Sequence, residues 1–180
     1  PIRIRVEDRD AARRTAALSQ IALAELLGSR VIADVAIIGR DLFLREGAAV
    51  GVMFQARNHL ALNADLIRQR AEALAANQAN GATLQTVTIR DREVSFLSTP
   101  DNRLRSFYAV DGDFHLVTTS RGIVERFLEA GAGDRALGAS SEFHVARKTR
   151  PLGRDDAVFA YLSSAFLQGL FSPGYQIELG

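Results

Sequence analysis

The middle of the chain is built on a two-residue alternation. Residues 83–89 (TLQTVTI), 93–98 (EVSFLS), 103–110 (RLRSFYAV) and 114–119 (FHLVTT) are short β-prone runs bounded by turn-forming residues. Asp91-Arg92 closes the first turn, Thr99-Pro100-Asp101-Asn102 the second and Asp111-Gly112 the third. The Asp-Gly pair suits a two-residue type I′ hairpin, which needs positive φ at both central positions. Runs joined by such short links predict a four-strand antiparallel meander.

Elsewhere strands and helices are mixed. IRIRV (2–6) alternates as a half-exposed strand, and Asp8 or Asp10 can cap a helix that stops at Gly28. VIADVAII (31–38) reads as a mostly buried strand, Gly39-Arg40-Asp41 as a turn, LFL as a short strand and AVGVMFQA (49–56) as another strand. A helix over Leu60 to Asn77 carries Leu62, Leu66, Ile67, Ala71 and Leu74 on one side. Ser120 is placed to cap a helix whose inner stripe is Ile123, Val124, Phe127 and Leu128, and Gly131 ends it. A Gly/Ala/Asp linker leads to a short helix around SSEFHVARK, a strand over 156–162 and a terminal helix over 163–171. GVMFQARN and FHLVTTSR both run from a strand into a helix, a faint two-fold theme. The fold class expected is α+β over residues 1–180 as a single domain: a mainly antiparallel sheet, its apolar side covered by helices packed on one face.

Composition narrows the function classes. Hydrophobic residues make up 47% and charged residues 24% of 180, ordinary globular values. No apolar run approaches the ~20 residues that span a bilayer, so no membrane insertion of this segment is expected. A net charge of +1 provides no field for nucleic acid. Cysteine is absent, which removes disulfides, thiolate catalysis and thiolate-bound zinc. Opening on Pro1 and closing on YQIELG, the chain reads as a fragment of a longer protein.

Each chemical candidate has a structural explanation. His59, His115 and His144 fall in three different elements without metal-ligand spacing, and His115 sits in an alternating strand. The DGD at 111–113 lacks the further oxygen ligands of a calcium loop. GAGDRALG (131–138) follows a helix, whereas a phosphate-cradling loop follows a strand. Ser120 lies at a strand-to-helix junction but has no flanking glycines of a nucleophile elbow, so capping accounts for it. Asp155-Asp156 and Glu7-Asp8 mark element edges. Arg103 and Arg105 beside Phe107 and Tyr108 suggest an RNA-stacking face, yet the glycine of that pattern is missing. The basic-to-acidic run 146–156 reads as a solvated loop. No catalytic, cofactor-binding or metal-ligating residue is therefore assigned.

From about residue 49 to 171 the order of features resembles an uncharacterised bacterial family of mostly extracytoplasmic or membrane-anchored proteins. The resembling pieces are GVMFQARN, TVTIRDREVSFLS, SFYAVDGDFHLVTTSRGIVERFLEA, LGASSEFHVARK and DDAVFAYLSSAFLQGL. The resemblance implies an envelope or surface location and carries no activity or site residue.

Together these readings point to a non-enzymatic interaction or structural module of a larger envelope protein, acting through a protein partner or self-association, without cofactor. The alternative is a small-molecule-binding or hydrolytic enzyme with a dispersed site. A deep pocket with convergent polar groups and perturbed ionisable residues distinguishes the two.

Overall fold

A computed structural model describes residues 30–39, 49–133, 136–149, 159–164 and 167. The chain divides into two compact units, 1–128 and 129–180, with the boundary inside a helix.

In the first unit, strands β1 (Ile32–Gly39) and β2 (Val50–Ala56) lead into helix α1 (His59–Ala76). Strands β3 (Thr83–Ile89), β4 (Arg92–Ser98), β5 (Arg105–Asp111) and β6 (Phe114–Thr118) follow, and then helix α2 (Arg121–Gly131). The six strands form one sheet, ordered β1-β2-β6-β5-β4-β3, with every pairing antiparallel. The class is α+β, as the alternation predicts. The run β3 to β6 pairs in sequence order, but the sheet extends beyond it, because β2 adds to the far side of β6 with Phe54 opposite His115. The strands of the two strand-to-helix segments are thus direct neighbours.

The turns follow the backbone's tolerance for positive φ. Arg90 and Asp91, at φ of 49° and 60°, form the first hairpin tip, one residue earlier than Asp91-Arg92. In the third hairpin Asp111 pairs with Phe114, so the tip is Gly112-Asp113. Gly112 has φ of 56° and Asp113 stays negative, the φ pattern of type II′, in which the glycine comes first.

The helices take opposite faces of the sheet, which corrects the expectation of one covered face. Leu62 and Leu66 of α1 pack with Val52, Phe54 and Tyr108. Ile123, Val124 and Leu128 of α2 pack with Val94, Phe107, Ala109 and Leu116. Successive residues of β5 and β6 alternate between the two clusters, so these central strands are buried on both sides. Phe127 is half-buried against the α2-side cluster. Gly51 allows the close approach of β1 and β6 on the α2 side: a Cβ there would lie 3.1 Å from Thr118 Cβ and 3.2 Å from Leu116 Cδ1.

The edge strands differ from expectation. Residues 31–38 read as mostly buried, yet β1 buries only Ile32, with Ile37 63% exposed, because the α1 core lies over β2, β5 and β6. The first strand and helix (2–27), the turn at Arg40-Asp41 and the LFL strand fall outside the described residues.

In the second unit, helix α3 (Ser141–Thr149) is capped by Ser140, whose Oγ accepts from Phe143 N–H at 3.4 Å. Phe143 meets Tyr161 edge-on at 5.2 Å, and the Arg147 guanidinium lies 4.5 Å from the Phe159 ring centre. Residues 159–163 form no strand, where the apolar run predicts one; the helix expected around SSEFHVARK is present and reaches Thr149, so the run 146–156 read as a loop begins as helix.

Candidate functional site

Two polar constructions interrupt the apolar cover between α1 and the sheet. The first starts at the helix N-terminus. Asn58 caps α1 by accepting the Ala61 N–H at 3.1 Å, which fixes His59 as the first helical residue, above β6. His59 Nδ1 is 3.0 Å from His115 Nε2, and His115 Nδ1 is 2.8 Å from the Tyr108 hydroxyl. That hydroxyl donates to Asn63 Oδ1 at 2.7 Å. Since the phenol has one proton, His115 Nδ1–H donates to it, and His115 Nε2 then accepts from His59 Nδ1–H. The result is a directed chain from exposed His59 into the interior.

His115 is fully buried. Burial first, and repulsion from His59 second, pull its imidazole down to about 4, so it is neutral at pH 7. Burial pushes the Tyr108 phenol up to about 12, so it too is neutral.

The second construction lies two turns further along α1. Arg70 is 93% buried, since 7% of its surface is exposed, and it reaches across the helix–sheet interface. Its Nη1 donates to Ser106 Oγ at 2.9 Å, and its Nη2 faces Ser95 O, Ser95 Oγ and Ser106 O at 3.2 Å each. Every acceptor is neutral. Among the described residues no carboxylate reaches it, and its Nε–H is buried without a partner. The guanidinium also stands 5.8 Å from the Tyr108 ring centre, a cation–π approach. Desolvation pulls its pKa down to about 10, which leaves it charged at pH 7.

Arg70 lines a cavity of about 500 Å³ between the C-terminal half of α1, the ends of β2 and β6, and the β4–β5 loop. Val52, Leu66, Leu97, Leu104 and Val117 give it apolar walls. The loop forms the rim and is closed by its own hydrogen bonds. Thr99 N–H donates to Leu104 O at 2.9 Å, and Leu104 N–H returns a bond to Thr99 Oγ1 at 3.0 Å. The Thr99 hydroxyl donates to Asp101 Oδ1 at 2.6 Å, and this bond first of all holds Asp101 below the usual carboxylate range. Asp101 also pairs with Arg103 at 3.3 Å, in the open.

The candidates read from sequence fall out as follows. Ser120 is buried at the N-cap position of α2; its carbonyl accepts from Val124 N–H at 3.3 Å and its N–H donates to Thr118 Oγ1 at 3.2 Å. Phe107 and Tyr108 point to opposite faces and are both buried, so with Arg103 in a loop they form no common stacking surface. His144 is exposed on α3, in the second unit. Glu7-Asp8 and Asp155-Asp156 lie outside the described residues, as does part of 131–138. Among the described residues no cluster of three or more metal-type ligands occurs, and no helix is long and apolar enough to cross a membrane.

Two features escape the sequence reading. His59 and His115 are 56 positions apart and meet only because β2 pairs with β6. Arg70 had a signal: Leu62, Leu66 and Arg70 recur at four-residue spacing, which places the arginine on the buried stripe in place of Ile67, itself 53% exposed. No protein family, curated protein or solved structure matches the chain.

Proposed function

We propose that the chain is a small-molecule-binding module of a larger bacterial envelope or surface protein, the alternative that a pocket with perturbed ionisable residues favours over a purely structural module, and that its cavity beside Arg70 holds a small organic molecule. The observation that carries this reading is a cavity of about 500 Å³ whose apolar walls end on a buried guanidinium. That volume is typical of small-molecule sites, as is a mostly apolar lining with a few fixed polar groups. The buried cation is difficult to explain by stability alone. Removing a charge from water costs several kcal/mol, and neutral acceptors recover only part of it. The place in an envelope protein rests on the resemblance over 49–171.

Ala73 lines the cavity from α1 and is half-buried, so Ala73→Phe fills the space with little strain on the helix. Ligand-observed NMR against a library of compounds with roughly 10–25 heavy atoms, a size suited to such a volume, should give hits that compete with one another and vanish in Ala73→Phe. Hits indifferent to Ala73→Phe would place binding elsewhere. A parallel esterase, phosphatase and glycosidase screen should show no turnover; activity that survives repurification and is lost in Ala73→Phe would make the module an enzyme.

A further inference from the structure

We infer that the ligand of this cavity is an amphipathic carboxylate, its carboxyl group bound at Arg70 and its apolar body lying along Leu66, Leu97 and Val117. The inference rests on the pocket reading above and adds the charge and shape of the occupant.

A guanidinium offers five N–H donors. Arg70 commits both Nη2 protons and one Nη1 proton to the hydroxyls and carbonyls of Ser95 and Ser106, which hold the group in a fixed plane. Among the described residues the Nε–H and the second Nη1–H have no acceptor. Tyr108, the aromatic neighbour, is a neutral phenol and supplies no countercharge. The site therefore has a positive charge with no carboxylate partner among the described residues, unused donors and a guanidinium already oriented by its hydrogen bonds. A carboxylate complements it in charge, and charge-assisted bonds of this kind are about twice as strong as neutral ones.

The rest of the lining decides against a more highly charged group. Arg103 is already paired with Asp101 on the rim, so it brings no net charge. Arg105 also lines the cavity, but its guanidinium lies over the Phe107 ring, 5.5 Å from its centre, and Phe107 belongs to the α2-side cluster. A phosphate dianion would bring two charges and several more acceptor oxygens to the Arg70 guanidinium, beside the apolar side chains of Leu66, Leu97 and Val117. Its desolvation would go largely uncompensated. A carboxylate leaves the apolar lining to the remainder of the ligand, and the volume accommodates a medium-length acyl chain or a single aromatic acid.

Octanoate, octanamide and octyl phosphate separate the possibilities by calorimetric titration of the intact protein at pH 7.5. Octanoate should bind about tenfold or more tightly than octanamide, the ratio expected for one buried charge-assisted contact. Arg70→Met should abolish that preference while octanamide still binds, and Ala73→Phe should abolish both. Circular dichroism melts of each variant report whether the fold is intact, and Arg70→Lys serves as a second variant that keeps the charge but not the planar fork. Octanamide binding equal to octanoate, a preference that survives Arg70→Met, or no octanoate binding at all would overturn the carboxylate assignment. Tighter binding of octyl phosphate would overturn it in favour of a dianion. Binding of every probe that ignores Ala73→Phe would instead remove the pocket itself.

Discussion

On the α2 side of the sheet, β4, β5 and β6 present Val94, Phe107, Ala109 and Leu116, and the helix answers with Ile123, Val124 and Leu128. On the α1 side the intervening residues of the same strands are Ser95, Ser106, Tyr108 and His115, and the helix brings Asn63 and Arg70 down among its leucines. One face is a continuous apolar layer with Phe96 stacked on Phe107 at 4.4 Å. The other interrupts its apolar layer with two hydrogen-bonded networks and a cavity. Apolar packing is the cheaper way to stabilise a sheet, and buried polar groups need complete networks to break even. The contrast teaches that the α2 side supplies stability and the α1 side spends part of it on a site.

The largest expected effect comes from cutting into the apolar side. Phe107 is 4% exposed, and Phe107→Ala removes the ring that joins β5 to the α2 core. The cost should be about 3–5 kcal/mol in urea unfolding, with an unchanged slope on denaturant. A loss below 1 kcal/mol would erase the distinction between the faces.

The next effect belongs to the polar side and depends on pH. Unfolded histidine takes up its proton near 6.5, whereas folded His115 resists until about 4. Above pH 6.5 both forms are neutral and His115 adds no pH dependence. Between the two values only the unfolded chain binds the proton, so stability falls as the pH is lowered. The loss is complete below about 4 and should total about 3 kcal/mol. Unfolding free energies at pH 7.5, 5.5 and 4.5, compared with those of His115→Leu, isolate this contribution from the carboxylates. Equal pH slopes in the two proteins would show that His115 titrates freely.

The two sides were not equally legible. The stripe Ile123, Val124, Phe127 and Leu128 has clear helical spacing, and the strand alternation around Gly112 and Asp91 placed the meander, so the α2 side follows from local pattern. The assignment of all helices to one face overlooks β5, which reads FYAV: a run apolar on both faces belongs to a strand covered on both sides. The α1 network was hidden for a different reason. His59, Tyr108 and His115 are each unremarkable in sequence, and only the non-local β2–β6 pairing brings helix and strand together. Arg70, next to exposed Arg68 in a helix, reads as solvated until the four-residue spacing from Leu62 is weighed.

A substitution that touches neither face sets a baseline. Gly112 has φ of 56° and nothing within 4 Å of where a Cβ would sit. Gly112→Val therefore costs only backbone strain, about 1–2 kcal/mol. Measured beside Phe107→Ala, it separates turn strain from core loss. A cost as large as that of Phe107→Ala would mean that the hairpin tip is packed and not open.

The smallest shift is expected where the most interactions would be lost. Arg70→Met removes a cation that makes four hydrogen bonds, and contact counting predicts a severe loss. The physical balance differs. Methionine keeps much of the apolar stem that packs beside Leu66, and it ends the desolvation of a charge without a carboxylate partner among the described residues. Ser95 and Ser106 lose a donor, but their hydroxyls can rotate to other acceptors, and replacing buried ionic groups by apolar ones of similar volume is often neutral or stabilising. The variant should unfold within about 1 kcal/mol of the parent, in either direction. A loss of 3 kcal/mol or more would mean that Arg70 ties α1 to β4 and β5 as part of the core, and the difference between the faces would be one of composition alone. Near-neutral stability combined with lost octanoate preference would place Arg70 among residues kept for what they bind.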